Sequence, residues 1–187
     1  MLDLSAQESD ICAMRRLMLL RHAKTERTQP GERDRDRKLT KRGRNDAPLV
    51  GAYMARHGLV PDLGLVSPAT RAQETWALLA NCFAKAPKAV SEERIYNAEP
   101  QKLMDLVAEP EGAKSRVVVG HNPGLHNLAV QLIASGDVEA RERIAEGLPT
   151  SGLVVIDLAF DDWSSLHPHS GRLERFVSPR LIAAETE

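Results

Sequence analysis

The chain is poor in cysteine, has no long apolar run and carries almost no charge bias. Only Cys12 and Cys82 occur among 187 residues, and they make neither a metal-ligand pattern nor a disulfide framework. A reducing, cytoplasmic setting is the simplest reading. No apolar run approaches the ~18 residues of a membrane-crossing segment, so no membrane partner is expected. The opening MLDLSAQESDICAM is acidic and lacks a basic stretch followed by a long apolar one, so no secretory signal is expected. A net charge of −1 argues against a general nucleic-acid binder, because that role usually needs a strongly basic domain. No internal repeat or long linker interrupts the chain.

What is present is ordinary for one globular domain, with 42% hydrophobic and 27% charged residues and enough length to bury a sizeable core. Residues 1–13 read as a flexible polar extension, with Met14 an alternative start to Met1. Residues 14–180 read as the single domain and 181–187 as a short tail, the chain beyond Pro179 being expected to fray.

The runs at 15–21, 62–67 and 116–120 suit buried parallel strands. Helical spacing follows at 40–57, with Thr40 as N-cap and Pro48 as a threat to continuity, and then at 68–84, 100–109 and 123–135. LVVIDLAF (153–160) and GRLERFV (171–177) read as a hairpin-like pair. The alternation predicts an α/β fold, a mostly parallel sheet with helices on both faces and an antiparallel edge strand.

Three chemical blocks follow the strands. Arg21-His22 ends the first, Ser67-Pro68-Ala69-Thr70-Arg71 follows the second, and Gly120-His121-Asn122-Pro123-Gly124 follows a later one. Their separations leave room for crossover units of ~30 residues, so all three could meet where open α/β sheets hold ligands. Phosphoryl transfer spreads charge over three equatorial oxygens and calls for cations and N–H donors around them. Arg21 and Arg71 offer planar, permanently charged forks. A neutral imidazole at His22 could attack phosphorus, and His121, if protonated, would add a third cation. Helix starts near Pro68 and Pro123 would add positive dipole ends.

LLRHAKT, SPATRAQET and VVVGHNPGL together resemble the histidine phosphatase superfamily, in particular its SixA-type phosphohistidine phosphatases. DRDRKLTKRGRNDA (34–47), RIYNAEP (94–100), PTSGL (149–153), Trp163 and Pro179-Arg180 extend the resemblance over nearly the whole of 14–180. It implies a three-layer α/β/α sandwich and a nucleophilic His22, with Arg21, Arg71 and His121 forming the phosphate pocket. No metal and no cofactor are implied. The substrate implied is phosphohistidine on a protein, such as a histidine phosphotransfer domain or a phosphotransferase-system carrier. A phosphatase for small phosphomonoesters or sugar phosphates is the nearer rival. A non-catalytic phosphate-binding adaptor is the rival from another class.

The proton donor is open. Glu93 stands where mutase-like relatives carry their acid, Glu99 is near it, and Glu26 is close to the nucleophile. SixA-type members often lack a clear acid, which an imidazole leaving group tolerates better than an alkoxide does. Arg37 is a substrate-contact candidate because it lies in a matching block. Thr150 and Ser151 could reach the phosphate from the far side, or simply form a turn. Asn122 could touch substrate but suits a cap or brace better. The charged stretch 25–38 reads as an exposed loop near the site. His57 reads as a helix C-terminal partner, His126 as a packing or surface residue, and His167 and His169 as exposed.

Overall fold

Alternation along the first strand divides the molecule in two. The computed structural model describes residues 14–185, so the 1–13 extension and Cys12 lie outside the described residues. In β1 (Arg15–Arg21), Leu17 and Leu19 enter one apolar core while Met18 and Leu20 enter another, as the two-residue period of a strand requires. Beside it stand β2 (Leu63–Val66), β3 (Lys88–Ser91), β4 (Ser115–Gly120), β5 (Ile133–Gly136), β6 (Leu153–Leu158) and β7 (Gly171–Val177). They form one seven-stranded sheet in the order β3-β2-β4-β1-β6-β7-β5.

Six strands run the same way and β6 runs against them, antiparallel to both β1 and β7. The reversed strand is therefore internal, not at the edge where the hairpin-like pair suggested it. The chain after α4 (Gly124–Leu132) turns into β5 and pairs with β7, carrying the sheet two strands past β6.

α1 (Lys41–Arg56), α2 (Thr70–Ala80) and α6 (Pro179–Ala184) cover one face through Val50, Met54, Trp76, Leu79 and Ile182. The other face is covered by α3 (Pro100–Ala108), α4 and α5 (Val138–Glu146), through Leu103, Leu106, Leu128 and Ile144. This is the expected three-layer sandwich. Thr40 caps α1 by accepting from the Gly43 amide at 3.0 Å. The helix continues through Pro48 because Val50, Tyr53 and Met54 bury against the sheet; that burial offsets the roughly 3 kcal/mol cost of an interior proline.

Several elements depart from the sequence-based expectation. The 68–84 helix shortens to α2, and the 123–135 helix stops at Leu132. β3 is short and exposed, so its residues carry no buried-strand pattern. The chain beyond Pro179, expected to fray, forms α6, whose Ser178 cap accepts from Leu181 N and whose Ile182 is buried.

A fully buried cation closes the end of the sheet opposite the strand termini described next. Arg116 donates to the carbonyls of Val107 (2.5 Å), Glu109 (3.0 Å) and Glu111 (3.2 Å), and stacks over Trp163 at 4.4 Å. It thereby meets the C-terminal carbonyls of α3, where a cation is favoured.

Candidate active site

Strand register brings the three chemical blocks together. Arg21 stands opposite Gly120 and Val66 opposite Val119. Because β2, β4 and β1 are adjacent and parallel, His22, His121 and Ser67 leave the sheet side by side at its carboxyl end. Backbone bonds hold the exits: His22 N donates to Gly120 O (3.1 Å) and Ser67 N to Val119 O (2.9 Å). β6, running the other way, enters at the same end. Its lead-in residue Ser151, at φ 56°, donates its amide to the carbonyls of Arg21 and His22, both at 3.2 Å.

A cavity of about 370 Å³ lies over these ends, lined by Arg21, His22, Lys24, Thr25, Asp34, Arg37, Arg71, Asn97, His121, Asn122 and Thr150. All four residues assigned to the phosphate pocket from sequence thus reach one place, as do Arg37, Asn122 and Thr150. The chemistry this arrangement permits is set by the state of the two histidines.

His22 is buried, and its Nδ1 lies 2.8 Å from the Ala23 carbonyl oxygen. A carbonyl can only accept, so Nδ1 carries the proton and Nε2 keeps its lone pair. Burial pushes the imidazole down to about 4; the bond to Ala23 opposes this, while Arg71, Arg21 and Arg37 reinforce it. The ring is therefore neutral and nucleophilic at neutral pH.

His121 lies 5.2 Å away between ring centroids, with Nε2 at 2.7 Å from Ser67 Oγ. Burial, Arg71 and His22 push it down to about 3. The third cation considered from sequence is thus a neutral ring. With Ser67 as the donor to Nε2, one of the two directions this contact allows, the ring proton sits on the buried, unpartnered Nδ1.

The arginines are held by different means. Arg21 donates to the Leu148 carbonyl (2.9 Å). The buried Arg71 donates to the Asp34 carbonyl (2.6 Å) and to Asp34 Oδ2 (3.0 Å). Arg37 Nε lies 3.0 Å from Asp34 Oδ1, and the Tyr96 hydroxyl donates to Asp34 Oδ2 at 2.9 Å. Burial works to raise the Asp34 carboxyl, but the Tyr96 hydroxyl, Arg71 and Arg37 outweigh it and hold the group below its ordinary value. Asn122 donates to the Leu148 carbonyl (2.9 Å), which makes its amide a brace; its Oδ1 is buried without a partner.

Glu93 does not line the cavity. Its largely exposed carboxylate pairs with Arg35 at 2.7 Å. Glu99 stands at the N-cap position of α3 without a side-chain capping bond and Glu26 lies in the surface loop, both exposed and outside the cavity lining. The cavity's carboxylate is Asp34, with Tyr96 and Ser67 as supports. Sequence reasoning assigned no role to these three, because nothing in an alternating DRDRK run distinguishes the one acid that reaches Arg71. The other histidines fall as read: His57 Nδ1 donates to Tyr53 O at the end of α1, and His126 Nε2 to Ile144 O. Among the described residues no three His, Cys, Asp or Glu side chains group as a metal site, and no helix is long and apolar enough to cross a membrane.

Known proteins resemble this chain in sequence and fold. Residues 17–96 match the model of the histidine phosphatase superfamily (branch 1). The uncharacterized protein Rv1276c of Mycobacterium tuberculosis is 35% identical over 164 residues, spanning 86% of this chain and 100% of that protein. A candidate phosphohistidine phosphatase SixA from Agrobacterium tumefaciens superposes with a TM-score of 0.74 at 31% identity, covering 88% of this chain and 98% of that one. The protein histidine phosphatase SixA complexed with tungstate shares the fold, with a TM-score of 0.66 at 21% identity over 89% of this chain and 99% of that one. With the strand-end Arg-His, SPATR and GHNP blocks converging on one cavity, the chain belongs to the histidine phosphatase superfamily, as a SixA-type member.

Proposed function

We propose that this phosphatase removes phosphate from phosphohistidine on proteins through a phosphohistidine intermediate on His22. The observation that carries the reading is the Nδ1 bond from His22 to Ala23, which leaves Nε2 as a neutral nucleophile in a cavity lined by Arg21, Arg37 and Arg71. Nε2 attacks phosphorus, the bond from phosphorus to the substrate imidazole breaks, and the imidazole leaves with a proton from solvent or a site group. The arginines and the free N–H of His121 hold the equatorial oxygens as charge develops. Water then attacks the phosphoenzyme, releasing inorganic phosphate and restoring His22.

The preference for an imidazole leaving group rests on the acid. The cavity's carboxylate, Asp34, is ion-paired and held ionised, so no neutral carboxylic acid stands ready to protonate an alkoxide. An imidazole needs that help far less. This supports phosphohistidine, carried on a protein such as a phosphotransfer domain or a phosphotransferase-system carrier, over a sugar phosphate; the cytoplasm is the setting proposed for it.

The test compares wild type with His22→Ala on a phosphohistidine protein, free phosphoramidate and an aryl phosphate. Wild type should favour the first two and trap phosphate on His22 by mass spectrometry. His22→Ala should lose at least about 10³-fold in kcat/KM. Undiminished turnover by the variant removes the nucleophile, and a wild-type preference for esters removes the substrate class.

A further inference from the structure

A second concavity opens beside the phosphate cavity and is larger, about 880 Å³. It lies among the start of α1, the end of α5, the segment before β6, and α6. The two share Arg21, Asn122 and Thr150 in their linings, so they are continuous. Phe176, Pro179 and Leu181 give the groove apolar surface, and exposed Arg42, Arg143 and Arg180 stand on three separate helices around it.

We infer that this groove is the docking site for an acidic segment of the phosphoprotein substrate, one that also carries apolar side chains, lying so that its phosphorylated histidine enters the cavity. The inference rests on the protein-phosphohistidine reading above and adds which surface recognises the partner.

Charge favours that occupant. With Arg21, four arginines line the groove against one acid, Glu146, on a chain whose net charge is −1. Positive charge is therefore concentrated beside the reactive centre, where it would steer an acidic partner inward. The kind of cation present argues against a small metabolite. Sites for small molecules converge buried polar groups on the ligand. Here the Arg42 and Arg143 side chains are 73% and 45% exposed, around an apolar lining, which is the layout of a protein interface. Their present partners, Asp46 and Glu139, lie one turn away on the same helices, and the Arg143–Glu139 pair, exposed on both sides, is exchanged at little cost.

The test uses the full chain, the Arg143→Glu/Arg180→Glu double variant and three substrates. These are a phosphohistidine peptide flanked by Asp, Glu and Leu, one of equal length flanked by Lys and Ser, and free phosphoramidate. Wild type should favour the acidic peptide by about tenfold in kcat/KM, mainly through KM, and the preference should shrink with added salt. The double variant should lose or invert the preference while hydrolysing phosphoramidate as wild type does, which also shows that it folds. An absent preference in wild type, or one retained by the variant, overturns the groove assignment and leaves the phosphohistidine reading standing. Failure of wild type on both peptides with turnover of phosphoramidate overturns the protein-phosphohistidine reading beneath it, and the docking site with it.

Discussion

An imidazole attacks phosphorus only when it is neutral and its free nitrogen is the one facing the substrate. In the proposed mechanism His22 meets the first condition and keeps Nε2 free: the carbonyl of the next residue fixes the proton on Nδ1, and burial, reinforced by the surrounding arginines, penalises a second proton. The Tyr96 hydroxyl, Arg71 and Arg37 outweigh burial and keep Asp34 a carboxylate. Asp34 therefore stands as a fixed negative charge that a phosphoryl dianion must share with Arg71 and Arg37. Asp34→Asn should tighten inhibition by orthovanadate threefold to tenfold, the effect of roughly 1 kcal/mol of relieved repulsion; weaker inhibition would show that Asp34 serves chiefly to place Arg71. Glu93→Gln, by contrast, should leave hydrolysis of both phosphoramidate and aryl phosphate within about twofold of wild type, since surface changes of this kind are small. A selective slowing of the ester would restore Glu93 as the acid. At this scale the candidate residues were legible in sequence, because the Arg-His pair, the SPATR block and the GHNP block recur at successive strand ends. The acid was not, since carboxylates abound in the chain and only proximity selects among them.

Elements deliver these side chains through close packing. Gly124 opens α4 directly after the His121-Asn122-Pro123 turn, and a Cβ there would overlap the Ala98 carbonyl oxygen of the segment leading into α3. Backbone cannot give as a flexible side chain can. Gly124→Ala should destabilise by about 1–3 kcal/mol, read as a lowered Tm, and should reduce kcat because the displaced α4 carries the turn holding His121. An unchanged Tm with unchanged kcat would show that the two segments part freely. Buried elements were the ones visible in sequence: β4 and β6 bury nearly every residue, β1 buries its central run Leu17, Met18, Leu19 and Leu20, and α1 carries a cap and an apolar stripe. β3, β5 and α5 bury few residues, so no periodic signal marked them. α6 is six residues long, too short for periodicity, and owes its order to the Ser178 cap and the burial of Ile182.

For the whole molecule, the two site histidines couple stability to pH. In the folded protein His22 and His121 refuse protons until about pH 4 and 3, whereas their ordinary value is 6.5. Between those values the unfolded chain binds more protons, so stability is complete above pH 6.5 and falls as pH drops toward 4, by on the order of 1.4 kcal/mol per unit for each fully displaced group. Tm should therefore decline from pH 7 to 4.5, and a His22→Asn/His121→Asn variant should decline less steeply. Equal slopes would show that neither ring is held neutral by the fold.

Sequence alone determined the α/β class and the strands that end in Arg21-His22 and Gly120-His121, because these follow from local pattern; its four candidate phosphate-binding residues, Arg21, His22, Arg71 and His121, gather at one cavity. Tertiary structure decided the rest. The reversed strand lies inside the sheet because β5 returns to pair with β7. Asp34, not Glu93, reaches the cavity because the surface loop folds back onto Arg71. His121 is neutral because burial beside Arg71 and His22 makes a further positive charge costly. Each depends on which distant segments become neighbours, and on the desolvation and charge that neighbours impose.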